Sequence, residues 1–187
     1  RWFHLQVEES INQQHPFFWT KHFQNWNARC SYCHSTNVSK NYSAESASYD
    51  TQWSEINVGC EACHGPAKQH VELAVTNKLT PEMSGFDIDL KNTNQFVFSE
   101  GHAIAKNVGK TNPKAMDVCA ACHSRATQVG VISPLTAYDD QFQLSTLDQN
   151  LYFADGQIKD EVFVHGSFVQ SKMHAAGVTC TNCHDAH

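Results

Sequence analysis

Eight cysteines in four pairs, each pair followed at once by a histidine, are the residues of this 187-residue chain that could act together chemically. They read CSYCH at Cys30–His34, CEACH at Cys60–His64, CAACH at Cys119–His123 and CTNCH at Cys180–His184. No cysteine is left over. C-x-x-C-H is the spacing that attaches haem c. Two thiols separated by two residues can add to the two vinyl groups on neighbouring pyrrole rings, and the adjacent imidazole then reaches the iron from one face. Zinc sites and thioredoxin-like redox pairs also use C-x-x-C. Neither gives a reason for histidine after every pair, and nor does a disulfide scaffold. The reading is four haem c (iron) groups. They would be bonded through Cys30, Cys33, Cys60, Cys63, Cys119, Cys122, Cys180 and Cys183. Their proximal ligands would be His34, His64, His123 and His184.

Four haems leave four axial positions open, and eight further histidines could fill them. Imidazole on both faces gives a low-spin iron that changes little between its two oxidation states, which suits electron transfer. His187 lies three residues after His184 and His70 six after His64, too close to pass round a ring's edge to the same iron. Each is expected to bind a neighbouring haem. His174, six residues before Cys180, is under the same constraint. The expected distal ligands are His174, His70, His187 and His22, the last eight residues before Cys30 in an aromatic stretch. His102 and His165 stand in reserve, with His4 and His15 behind them.

These motifs must be positioned by a chain with little apolar substance. Its formal charge is -6, its pI about 6.0 and its mean hydropathy -0.47. An acidic chain with no basic run excludes nucleic acid as a partner. No apolar stretch is long enough for a transmembrane segment. The chain starts at Arg1 rather than Met, so a processed protein or a piece of a longer one is expected. The gaps from one motif's histidine to the next motif's first cysteine are 25, 54 and 56 residues. The short first gap implies that haems one and two form a close unit.

The expected fold class is mainly α with much irregular coil, the haems forming the core, in a single tetrahaem domain over residues 1–187. Residues 61–78 read as a helix interrupted near Gly65–Pro66, with Pro66 in the first turn of a second helix that carries His70. Residues 115–126 read as a short helix with Asp117 near its start. QIKDEVFVHGSF reads as a strand or hairpin after the turn at 154–156. Residues 166–176 read as a helix delivering His174. Stretches 80–95 and 133–150 read as loop.

The strings NWNARCSYCHSTNVSKNY, EINVGCEACHGPAKQHVELA, CAACHSR and DGQIKDEVFVHGSFVQSKMHAAGVTCTNCHDAH resemble the multihaem c-type cytochromes of bacterial respiratory chains. The resemblance covers most of the chain. It implies bis-histidine haems and electron transfer in a respiratory or extracellular pathway, in the periplasm or at the cell surface. It also implies redox partner proteins, other cytochromes among them, and leaves self-assembly into a haem-lined conductive filament open. The rival reading is a multihaem oxidoreductase acting on nitrogen or sulfur oxyanions. That needs one iron with an open position, which related nitrite reductases mark with C-x-x-C-K, a motif this chain lacks. The expectation is an electron carrier rather than an enzyme.

Overall fold

The computed structural model describes residues 7–91 and 93–186, and the chain divides into two compact units, Arg1–Asn57 and Val58–His187. The boundary falls between the first and second C-x-x-C-H motifs.

In the first unit an aromatic stretch of turns leads to a wide helical turn, Trp26–Cys30, which runs into α1, Ser31–His34. Asn25 caps the wide turn by accepting from the Ala28 N–H at 2.9 Å. Buried Ser31 returns its hydroxyl to the Asn27 carbonyl at 3.0 Å, a side-chain bond that competes with regular helix hydrogen bonding. The chain then doubles back as β1, Tyr42–Ser43, and β2, Ser48–Tyr49. Bridges Ser39 to Gln52 and Thr36 to Glu55 continue the ladder. At its base the buried hydroxyls of Ser35 and Thr36 donate to the Ile56 and Asn57 carbonyls, at 3.0 and 2.8 Å. The residue after His34 is therefore bonded into the hairpin, which fixes where α1 ends.

The second unit opens with α2, Cys60–His64, and α3, Lys68–Val75. Gly65 separates them at φ 75°, a backbone state open to glycine. A Cβ there would also meet Leu135 Cδ2 at 3.0 Å. The helix break was legible in the sequence, but α3 starts at Lys68, so Pro66 lies before the cap residue Ala67. A hairpin follows, β3 (Phe96–Val97) against β4 (Lys106–Asn107). Then comes α4, Pro113–His123, the longest helix. Asn112 caps it and Pro113 fits its first position, where no N–H is needed. It begins two residues before the expected start at 115. β5 (Ala126–Gln128) and β6 (Phe142–Leu144) pair antiparallel, with α5 (Tyr138–Gln141) just before β6. The loop expected over 133–150 thus holds both α5 and β6.

QIKDEVFVHGSF is not a strand. Phe163 takes φ 58°, and the segment makes single bridges only, Tyr152 to Ile158 and Ser124 to Phe163. The turn at Gly156 is present, closed by its N–H on the Phe153 carbonyl at 2.9 Å. Where one helix was expected over 166–176, two short ones stand: α6, His165–Phe168, and α7, Lys172–Ala175, the second capped by Ser171. The last motif winds through a tight turn, Cys180–Asn182.

The expectation of a mainly α fold is corrected. Helix makes up 28% and strand 15%. Most helices stop after one or two turns, with extended serines after the first and third motifs and Gly65 after the second. The buried apolar side chains of the second unit are few: Ile88, Ala115, Val118, Ala120, Tyr138, Phe142, Tyr152 and Val162. Large apolar groups such as Phe98, Val131 and Trp19 stay more than 70% exposed. Ile88 is wholly buried and hydrogen-bonds to His64 through both backbone groups. Replacing it, Ile88→Ala, should cost about 2–4 kcal/mol of stability. Denaturant unfolding followed by circular dichroism measures this, and an unshifted midpoint would show that Ile88 is not a packing centre.

Candidate haem sites

Each C-x-x-C-H motif is wound on one turn. The pair spacing of three residues puts both thiols on the same side of that turn. In the second motif α2 contains Cys60, Cys63 and His64. In the third, Cys119, Cys122 and His123 close α4. In the fourth, the His184 N–H bonds the Cys180 carbonyl at 3.0 Å. In the first, Cys30 ends the wide turn, and Cys33 and His34 lie in α1. None of the eight cysteines is in a disulfide, and none is fully buried.

The spacer residues of two motifs anchor them. Glu61 of CEACH accepts from the Ala67 N–H at 2.8 Å, so the motif's own side chain caps α3, which carries His70. Asn182 of CTNCH accepts from the Thr179 N–H at 2.8 Å and the Thr179 hydroxyl at 3.0 Å.

Attachment sites three and four lie side by side in the second unit. Cys180 Sγ sits 3.5 Å from Met116 Sδ on α4. A hydrogen bond between Cys119 and Cys180 holds Cys180 down to about 7 and pushes Cys119 up. The charge of Cys63 also acts on Cys119, so site two lies near as well.

Three histidines share one arrangement. Nδ1 of His64 donates to the Ile88 carbonyl at 2.9 Å, Nδ1 of His70 to the Ser84 carbonyl at 2.6 Å, and Nδ1 of His174 to the Val169 carbonyl at 3.1 Å. A metal-binding histidine characteristically gives its second ring N–H to a carbonyl or carboxylate, which fixes the ring and leaves Nε2 for the metal. His64 is a motif histidine. His70 and His174 are two of the expected distal ligands. Phe86 stacks on His70 at 4.2 Å and 15°, and lies against His64 at 4.7 Å. Phe168 meets His174 edge-on at 5.6 Å.

The remaining histidines differ. His34, His123 and His184 are exposed at the ends of their motifs. His22 is exposed, and its Nε2 is engaged by the Arg29 guanidinium. His15 uses Nδ1 to accept from the Phe17 N–H at 3.1 Å, with Nε2 3.3 Å from Glu9. That is the reverse of the arrangement at His64, His70 and His174. His165 opens α6 beside Tyr138; burial, then the charge of His174, push its pKa down against the opposing charges of Asp117 and Asp139. His102 lines a cavity of about 420 Å³ with Ile104, Lys106 and Lys172. His4 and His187 lie outside the described residues. A larger cavity, about 650 Å³, has both His64 and His184 in its wall, with Leu90, Asn94 and Asn182. That volume is in the range of small-molecule and cofactor sites.

These residues fit haem. Among the described residues no three His, Cys, Asp or Glu side chains converge to hold a bare metal ion. A porphyrin brings four nitrogens of its own and asks the chain for one or two imidazoles plus two thiols per site, which is the donor set each motif offers.

Residues 4–65 match the protein family described as cytochrome c554 and c-prime. The match spans about a third of the chain and takes in the first two motifs. It supports a c-type cytochrome. No curated protein and no solved structure matches the chain significantly.

Replacing His174, as in His174→Ala, should leave the haem content unchanged while a high-spin ferric signal appears in the electron paramagnetic resonance spectrum. A fully low-spin spectrum would remove His174 from the axial set.

Proposed function

We propose that the chain is a single tetrahaem electron carrier, with haem c at all four motifs. Electron transfer is supported by the cytochrome match; the number of haems and their bis-histidine ligation are our reading. The observation that carries it is the tethering of His70 and His174, two histidines outside any motif, through Nδ1 to backbone carbonyls. Rings held this way can bind iron through Nε2 with no reorientation. Bound haem supplies an iron that gains and loses one electron without making or breaking a substrate bond. The chain's part is to present the thiols, fix the imidazoles and cover the ring faces. Exposed Phe98, Val131 and Val71 offer apolar surface for that cover. Distal ligation by His22 and His187 stays part of the proposal, with His102 and His165 as the alternatives.

The compartment follows from the same chemistry. The family is typical of the periplasm or of secreted proteins, and among the described residues no helix is long and apolar enough to cross a membrane. The proposed partners are redox proteins, other cytochromes among them, with placement in a respiratory or cell-surface pathway.

Intact-mass measurement of the purified protein should show four covalently added haems. The reduced spectrum should show low-spin haem, and carbon monoxide should leave it unchanged. Fewer than four haems would end the tetrahaem reading. A carbon monoxide adduct would move the protein to the oxidoreductase class.

A further inference from the structure

Asn107 is bonded to two parts of the chain that carry proposed haem ligands. Its backbone N–H donates to the Ala176 carbonyl at 2.9 Å, at the end of the helix that bears His174. Its Nδ2 donates to Asn94 Oδ1 at 2.9 Å, and Asn94 Nδ2 donates to Asn182 Oδ1 at 2.8 Å. Asn182 is the second spacer residue of CTNCH and also ties down Thr179. The Asn107 Oδ1 accepts from the Gln95 and Gly109 N–H groups, at 3.0 and 2.9 Å, which locks the side chain to its own hairpin. Both ends of this amide are therefore occupied, and the rotamer is fixed.

The approach is close. Gly177 takes φ 88°, and a Cβ there would stand 2.8 Å from the Asn107 Cβ. The chain from α7 to the fourth motif can lie against Asn107 because it has no side chain at that point. Asn94 and Asn182 also line the cavity that has His64 and His184 in its wall. The network thus runs from the β3–β4 hairpin to the wall of a candidate haem space. It reaches His184 through the motif turn and His174 through α7.

We infer that Asn107, acting through Asn94 and Asn182, is a positioning residue for the fourth attachment turn. The inference rests on the haem reading above. A fixed turn sets the orientation of the His184 ring, and that orientation governs the ligand field and potential of the iron it binds.

Two variants separate positioning from folding. Asn94→Ala cuts the link to Asn182 and leaves the Asn107 bonds to its hairpin intact. Asn107→Asp keeps the acceptor for Gln95 and Gly109 but loses the donor to Asn94. Both are purified as full holoprotein, counted for haem by intact mass, and followed by low-temperature electron paramagnetic resonance and potentiometric titration. The expected result is an unchanged haem count with a shifted low-spin signal and midpoint for one haem in Asn94→Ala, and the same haem shifted in Asn107→Asp. Asn107→Gln, which keeps both amide groups on a longer arm, should fall between wild type and Asn94→Ala. Signals and midpoints identical to wild type in both Asn94→Ala and Asn107→Asp would overturn the positioning role while leaving four haems in place. A wild-type count below four would instead strike the haem reading itself.

Discussion

A metal-binding imidazole characteristically has its other nitrogen held by a rigid acceptor, and for His64, His70 and His174 in this chain the holder is the main chain. Ile88, Ser84 and Val169 each give a carbonyl to a ring N–H. Those carbonyls are free to do so because none lies inside a helix or a strand. A carbonyl within an α-helix is taken by the N–H four residues on. The irregular stretches are thus more than connections: they supply the acceptors that hold these three rings. A fold richer in regular elements would leave fewer carbonyls to offer. The short helices and small hairpins are consistent with that requirement.

The same economy governs the attachment turns. A motif of five residues is too short to hold itself, since one isolated helical turn fixes several dihedrals for a single hydrogen bond. Each turn therefore borrows support. In CEACH the spacer Glu61 reaches the start of α3. In CTNCH the spacer Asn182 reaches the β3–β4 hairpin through Asn94. In CAACH the spacers are both alanine, and the support comes from packing: Ala115, Val118 and Ala120 are buried in α4. Beyond its end, Ser124 bonds the Tyr138 hydroxyl at 2.6 Å in a buried site. In CSYCH the buried Ser31 turns its hydroxyl back to Asn27. In three of the four motifs a spacer side chain makes the anchoring bond.

How much of this could be read from the sequence depends on the range of the interaction. The four C-x-x-C-H motifs were legible because their spacing is local and chemical. The break at Gly65 and the helix bearing His70 were legible for the same reason. The hairpins were not. β1 to β4 are two residues long and polar or exposed, so they lack the alternation that marks a strand. They pair locally through backbone bonds that no side-chain pattern marks. The strand or hairpin expected at QIKDEVFVHGSF reduces to isolated bridges about the Gly156 turn and at Phe163, and the positive φ of Phe163 is something no residue pattern announces for a phenylalanine. The engagement of His22 by Arg29 was likewise hidden, since a seven-residue separation across two different turns has no sequence signature.

Electrostatics divides the sites in a way that net charge does not. The chain carries -6, and haem propionates would make the assembled protein more acidic still. Yet the first motif is set among cations. Arg29 lies over the Phe23 ring at 5.4 Å, and the Lys40 ammonium lies over Tyr32 at 5.0 Å. Lys40 is half-buried and bonds the Ala28 carbonyl at 3.3 Å. Burial pulls its pKa down, with Cys33 raising it and Arg29 lowering it further. A cation held in partly desolvated surroundings acts over short distances with little screening. Positive charge favours the reduced, less positive state of an iron beside it, so at the first motif the chain's local charge opposes its global one and would bias a haem held there toward accepting electrons.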